Sequence, residues 1–250
     1  MLNSILAVRI HAGFNAGVFL GGLLAIGEQT EALATTTLRK LFPQVEARIS
    51  FESRRVNGIS GFGAAVVTKP EGHVHRHVSD VLAFYEKSTL SEEAQKKARS
   101  VWSEIASAEA RVHQMPLSDV HFHEVGRLSN ILAVGLAAEY LIRMAPSRIA
   151  ASPIPLGDGT VKCAHGLVPY PAPALFAMLE GVAVRPFAGT GEAVTPTGLG
   201  MLKGFGAEFG FWPEMRVAKT ATVFADAFFG GVPNGTLFAC GTPLPPPETK

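Results

Sequence analysis

Cysteine is almost missing from this sequence: Cys163 and Cys240 are the two among 250 residues. Two thiols cannot build a disulfide scaffold, and usage this sparse fits a reducing compartment. Neither a C-x-x-C pair nor a Ser–His–Asp arrangement occurs. Charge is scarce as well. Asp, Glu, Lys and Arg supply 17 % of the chain, against roughly 25 % in ordinary soluble domains, so a protein partner or other subunits are expected to cover part of the surface. The net charge is +1 and the basic residues are scattered. No basic stripe interleaved with aromatics exists to grip a phosphate backbone, which excludes nucleic acid as a partner. Long apolar runs are lacking too. Phe19 to Ile26 is too short to span a bilayer, and Arg9 and His11 interrupt the apolar stretch before it. The expectation is a cytoplasmic protein with no membrane partner.

What is present is apolar content of 47 % and enough length to bury roughly three quarters of the surface of the unfolded chain. One large domain or two small ones fit that length. The apolar run Ile5 to Ile10 predicts a strand, and Val18 to Ile26 a buried helix capped by Gly27. A helix follows over Glu31 to Leu41, stopped by Pro43. Strands are expected at Glu46 to Phe51 and Ala64 to Thr68, around the turn signals Asn57-Gly58 and Ser60-Gly61. A short helix is expected over Val78 to Lys87. From Ser91 to Val112 the residues Ala94, Ala98, Val101, Ile105, Ala108 and Val112 make one apolar stripe at helical spacing, with Ser91, or Thr89 with Glu92, as cap. Leu128 to Ile142 is apolar on most faces and reads as a buried helix.

After Pro146 the texture changes. Short strands are expected at Ile149 to Pro153, Val161 to Cys163, Val182 to Val184, Arg216 to Val223 and Thr236 to Cys240. Helices near Ala172 to Leu179 and Pro196 to Phe209 alternate with them. The class is α/β in the mixed α+β sense, with helices packed on mixed sheets. Residues 1–241 form the body, as one unit or as two subdomains meeting near residue 146. A proline-rich tail, 242–250, is expected not to pack.

Four constellations carry chemistry. His73, His75 and His77 alternate, so an extended segment puts three imidazoles on one side. Neutral imidazole suits Ni, Zn, Cu or Fe, and the alternative is a polar loop whose histidines are incidental. His121 and His123 flank Phe122 and precede Glu124. That carboxylate is placed to be a ligand, a general base or the acceptor that fixes an imidazole tautomer, or it is a surface group at a helix start. Lys162 and His165 flank Cys163, which would lower a thiol pKa and make a soft ligand or nucleophile. In the run Gly189 to Gly198, Thr195 is placed as N-cap with Pro196 at the first helical position. Such a start offers N–H groups to a phosphate or carboxylate, so a phosphorylated small molecule is a candidate ligand. No Lys follows in the place a P-loop requires.

Several of these segments, in this order, resemble those of the LarC family, the nickel insertion proteins of nickel-pincer cofactor assembly. They are His75-Arg76-His77, His121-Phe122-His123-Glu124-Val125-Gly126, Ser152 to Gly157, Val161 to Gly166 with Pro169, Pro171, Ala172 and Pro173, and Thr195 to Gly198. The resemblance covers roughly residues 5 to 241. It implies insertion of nickel into a pyridinium bisthiocarboxylate mononucleotide, closing metal–sulfur and metal–carbon bonds at the expense of CTP with Mg or Mn. On that resemblance His73, His75, His77, His121 and His123 are the metal candidates. Glu124, Lys162 and Cys163 would carry catalysis, and Arg76, His165, Thr195, Thr197 and Gly198 would hold the cofactor.

The chain departs from the family pattern at its acids. Where members open with Asp-Cys, Ser-Gly and Gly-Asp-Met, this sequence has Arg9-Ile10, Ala12-Gly13 and Ala16-Gly17-Val18; two later acidic positions are Ser129 and Ala133. A glycine-rich segment expected near Thr220 to Ala225 is also missing. Carboxylates are the ligands that Mg²⁺ and Mn²⁺ require, so CTP with either cation is not expected on this chain alone. Two readings stand: a LarC-like protein with altered or lost insertion, and a non-catalytic subunit or binding module that keeps the fold.

Overall fold

The computed structural model describes residues 3–72 and 74–245. Its elements run β1 (Ile5–Ala12), α1 (Ala16–Ile26), α2 (Glu31–Leu41), β2 (Ala47–Val56), β3 (Ile59–Thr68), β4 (Arg76–His77), α3 (Val78–Glu86), α4 (Glu92–His113), β5 (His121–Phe122) and α5 (Leu128–Met144). They continue with β6 (Arg148–Ala151), β7 (Ile154–Leu156), β8 (Gly159–Cys163), β9 (Gly166–Tyr170), α6 (Pro173–Met178), β10 (Val184–Pro186), α7 (Pro196–Phe205), β11 (Glu208–Phe209), β12 (Met215–Val223) and β13 (Gly235–Pro243). The class is mixed α/β, with the helices packed on a seven-stranded mixed sheet ordered β11-β6-β1-β13-β12-β3-β2.

The sheet is mixed because β1 pairs parallel with β6 and antiparallel with β13. One face of β1 (Leu6, Val8, Ile10) is buried in the main core, and α1 lies over β13, β12 and β3. That helix reaches the sheet through small residues: a Cβ at Gly21 would stand 2.8 Å from Ala64 Cβ, and one at Gly22 would strike the Phe238 ring. Its start is set by Asn15, whose side chain accepts from Val18 N at 3.0 Å.

Behind α1 lie α4, α5 and α7. The predicted stripe of α4 is where the packing occurs: Ala94, Ala98, Val101, Ile105 and Ala108 are buried. Helix α7 crosses it closely, since a Cβ on Gly204 would sit 2.5 Å from the Val101 backbone. Residues Ile131 to Leu141 of α5 are buried without a break, as its apolar circumference predicts. The one carboxylate in that stretch, Glu139, accepts from both the N–H and the hydroxyl of Ser91 at 3.1 and 3.0 Å. It thereby fixes the N-cap of α4 and settles Ser91, not Thr89, as the cap.

Several boundaries differ from the sequence expectation, for identifiable reasons. The β2–β3 hairpin runs to a two-residue turn at Asn57-Gly58, both at positive φ (50° and 81°), the primed turn that matches strand twist. Ser60 and Gly61 therefore belong to β3. Helix α7 stops at Phe205 because Gly206 takes the left-handed cap (φ 83°), leaving Glu208 and Phe209 to pair as β11. The expected strand Ile149 to Pro153 stops at Ala151. Its first part joins the large sheet as β6, and the chain then re-pairs as β7 with β10 in a separate two-stranded sheet. Thr242 and Pro243 extend β13 beside Met215 and Arg216, while residues 246–250 lie outside the described residues. Among the described residues no helix is long and apolar enough to cross a membrane.

Candidate metal centre and adjoining cavity

Two residues of strand are enough to bring the histidines together. β4 pairs antiparallel with β5, placing Arg76 opposite Phe122 and His77 opposite His121. Alternation turns Val120 and Phe122 inward, where Phe122 packs against the Trp102 ring 5.2 Å away. His121 and His123 consequently face outward. The imidazole of His75 stacks on that of His121 at 4.8 Å and meets His123 edge-on at 4.5 Å. Ligating nitrogens of His75, His121 and His123 lie within 4.8 Å of one another. His77 stands at the margin, 6.1 Å from His121 between ring centroids, and its backbone N–H caps α3 by donating to Asp80. His73 lies outside the described residues.

The three-histidine group adjoins an open cavity of about 680 Å³, within the range of small-molecule sites. His123 and Glu124 line it on one side; Lys162, Cys163 and His165 from the β8–β9 hairpin line it on another. The hairpin turn sets Cys163 Sγ 3.9 Å from His165 Nδ1, and the His165 ring lies 5.2 Å from that of His123. Thr195 and Thr197 line the cavity at the start of α7. Thr195 Oγ1 accepts from Gly198 N at 3.1 Å.

Two of the predicted cofactor residues stand elsewhere. Gly198 is absent from the cavity wall because its N–H serves the helix cap and its α-carbon abuts Phe14, whose carbonyl would lie 2.8 Å from any Cβ. The Arg76 guanidinium is occupied by the Gly126 carbonyl and the Glu71 carboxylate. Since Glu71 also accepts from Leu128 N at 2.7 Å, Arg76 ties the histidine segment to the start of α5. Arg9 is on the other face of β1, with its guanidinium over the Trp212 ring.

Sequence reasoning missed three residues. Glu109 and His113 are one turn apart on α4, with His113 Nε2 3.4 Å from Glu109 Oε2, and both line the cavity. Their i,i+4 spacing was the available signal. Glu192, beside the Gly191 turn, also lines it. Burial, then the Glu124 charge, pushes its carboxyl up to about 7. Burial likewise raises Glu109. It lowers His123, with help from His75, His165 and His121, so that this imidazole stays neutral and able to ligate. Ala16, Gly17, Ser129 and Ala133 form a further part of the wall, one without a carboxylate.

Fold and site thus define a class: a mixed α/β protein with a histidine group of metal-ligating geometry at the mouth of an open cavity. A sequence profile described as nickel insertion protein matches residues 6–239, and the chain belongs to that family. A Geobacillus kaustophilus protein named pyridinium-3,5-bisthiocarboxylic acid mononucleotide nickel insertion protein is 40 % identical over 227 residues, covering 86 % of this chain and 54 % of its own. A Staphylococcus epidermidis protein of the same name is 32 % identical over 216 residues, with the same two coverages. A Geobacter metallireducens relative is 34 % identical over 92 % of this chain and 59 % of its own. The chain therefore spans little more than half the length of these relatives. No solved structure matches it.

Proposed function

We propose that the chain takes up nickel at His75, His121 and His123 and presents it to a sulfur-bearing pyridinium mononucleotide held in the adjoining cavity. One observation carries the reading: imidazoles from two separate stretches of chain put their nitrogens within 4.8 Å of one another. Borderline ligands of this kind suit nickel. Lys162 supplies the cationic group, and the hydroxyls of Thr195 and Thr197 at the α7 start the donors, that a phosphate takes. Closing a nickel–carbon bond on the ring releases that carbon's proton, and Glu192, with its carboxyl near 7, is matched to accept it at neutral pH.

Hydrolysis of CTP is not part of this assignment. The wall at Ala16, Gly17, Ser129 and Ala133 offers no oxygen anion to a hard divalent cation. That wall favours a second reading, a subunit that keeps the fold and leaves nucleotide chemistry to another chain. The test is to incubate untagged protein with Ni²⁺ and the mononucleotide and follow the nickel-containing product by mass. Product that disappears with His75→Ala or His123→Ala supports insertion. Metal-free protein that yields no product sinks it in favour of the subunit reading.

A further inference from the structure

Away from the cavity, basic side chains gather at the corner where β6 leaves the large sheet. We propose that Arg9 and Arg185, with His11 beside them, bind a phosphate group there. This site is independent of the nickel reading.

Strand ends shape the corner. β6 stops at Ala151 and pairs with β1 only as far as Val8, whereas β1 runs on to Ala12. Ser152 then turns back on β1: its N–H donates to the Val8 carbonyl at 2.8 Å and its hydroxyl accepts from Ile10 N at 3.0 Å. Beyond it the carbonyls of Ile10 and His11 have no β6 partner. Arg185, from β10, supplies one, its Nη2 donating to them at 2.9 and 3.4 Å. The second guanidinium belongs to β1 itself. Arg9 Nη1 donates at 2.9 Å to the carbonyl of Gly210, whose own N–H donates to Ala151, the last residue of β6. Both cations therefore stand at the same strand end. His11 is the extra residue of a bulge between β1 and β13, a device that re-aims side chains.

The corner lacks negative charge. Arg54 and Arg76, half-buried as these arginines are, pair with Asp226 and Glu71. Arg9 and Arg185 pair with no carboxylate among the described residues. Instead the Arg185 charge reaches both neighbours: burial first and that charge second hold Arg9 and His11 below their ordinary values. Like charges drawn partly out of water repel, and an anion between them removes the repulsion. Two guanidinium groups call for two negative charges. Phosphate carries about −1.5 to −2 at pH 7 and matches the guanidinium fork, whereas a carboxylate balances one cation and leaves the other. Donors remain for it, since Gly210 is the one protein acceptor of Arg9 among the described residues. The Arg9 guanidinium also lies 5.1 Å from the centroid of the half-exposed Trp212 ring, so an anion on Arg9 alters the surroundings of that indole.

The test titrates untagged protein with inorganic phosphate at constant ionic strength, by calorimetry and by tryptophan emission. Trp102, the other tryptophan, is fully buried, so a change in emission reports Trp212. Saturable binding with a matching change in emission is expected, and acetate should give neither. Arg9→Gln and Arg185→Gln should each weaken binding roughly 10-fold or more. Both arginines also hold backbone carbonyls, so melting of each variant is followed, and Arg9→Lys and Arg185→Lys, which keep the charge, should bind more tightly than the glutamine variants. Cytidine monophosphate separates the sources: affinity equal to that of inorganic phosphate identifies the free ion, and tighter binding a phosphate ester whose base meets the exposed Phe211 and Trp212 rings. No saturable binding by the wild type, binding with unchanged emission, acetate bound as tightly as phosphate, or undiminished affinity in both glutamine variants overturns the proposal.

Discussion

The imidazole of His75 meets that of His123 edge to face, their centroids 4.5 Å apart, although one precedes β4 and the other follows β5. The two-residue pairing of those strands, the inward anchor of Phe122 and the Arg76 tie to Gly126 and Glu71 hold them in register. Either ring can therefore be removed at little structural cost elsewhere. His75→Ala and His123→Ala should each weaken nickel binding by more than the roughly 10- to 100-fold that loss of an outer-shell partner causes. The thermal midpoint of the metal-free protein should stay within about 2 °C of wild type. Calorimetric titration and melting together check this; unchanged affinity in both variants would remove the three-histidine group from the function.

Arg76 predicts a different pattern. Its guanidinium spans the Gly126 carbonyl and the Glu71 carboxylate, and Glu71 in turn caps the start of α5 at Leu128. A planar fork can serve both directions at once, and an ammonium cannot. Arg76→Lys should therefore behave nearly as Arg76→Ala does. Both should lower nickel affinity by roughly 10-fold or more through a loosened histidine segment, with faster amide exchange at residues 74–77 and 121–127. Full rescue by lysine would show that charge alone, not the fork, matters there.

Much of this architecture could be read from residue spacing. The α4 stripe, the buried circumference of α5 and the inward Phe122 all follow from periodicity, because each element contacts one layer of the core. The full length of the β2–β3 hairpin could not. Arg54 and Arg55 look like loop residues, yet Arg54 lies in β2, donating to the Ala225 carbonyl and pairing with Asp226. Of the site, the outward pair His121 and His123 around inward Phe122 was legible because period two survives in a short extended segment, whereas His77 stands at the margin and His73 lies outside the described residues. His113, Glu109 and Glu192 were not, since tertiary approach brings them in from α4 and from a glycine turn. Gly198 misled for the opposite reason: a helix start shows in sequence, but not whether its N–H groups are already spent on a cap.

Buried hydrogen bonding makes a stability prediction away from the cavity. Tyr85 is fully buried between α3, α4 and α5; its hydroxyl donates to the Ile131 carbonyl at 2.7 Å and accepts from Trp102 Nε1 at 2.8 Å. Tyr85→Phe leaves the indole N–H without a partner, which should cost roughly 1–3 kcal/mol. In a chain of this size that is a fall of about 2–4 °C in Tm per kcal/mol. Trp102→Phe in the same background should restore part of the loss by removing the orphaned donor. A double-mutant cycle with no coupling would contradict the assignment.

Nucleotide turnover gives a negative expectation. With Ala16, Gly17, Ser129 and Ala133 on the cavity wall, the chain alone should release no phosphate or pyrophosphate from CTP with Mg²⁺ or Mn²⁺ above the background of buffer. Restoring acids as Ser129→Asp with Ala133→Asp should raise Mn²⁺ affinity, read by electron paramagnetic resonance of the free ion. Turnover by the unaltered chain would show that carboxylates elsewhere in the cavity hold the cation.

Glu192 links the site to pH. Its carboxyl is raised from an ordinary 4.5 to about 7, by burial first and the Glu124 charge second. A raised acid binds more protons in the folded than in the unfolded state over that interval, so stability falls as pH rises from about 4.5 to about 7 and levels off above. The full penalty at pH 8 is on the order of 3 kcal/mol. Glu192→Gln removes it, so the variant should melt higher than wild type at pH 8 and differ little at pH 4.5. Glu109, raised in the same direction by burial, leaves a residual slope in both proteins. The same substitution removes the proposed proton acceptor, and nickel insertion should drop by roughly 10²- to 10⁴-fold while nickel binding is retained. In the wild type the rate should rise through pH 7 as Glu192 ionises. A variant that is more stable at pH 8 but inserts nickel at the wild-type rate would keep the burial argument and discard Glu192 as the base.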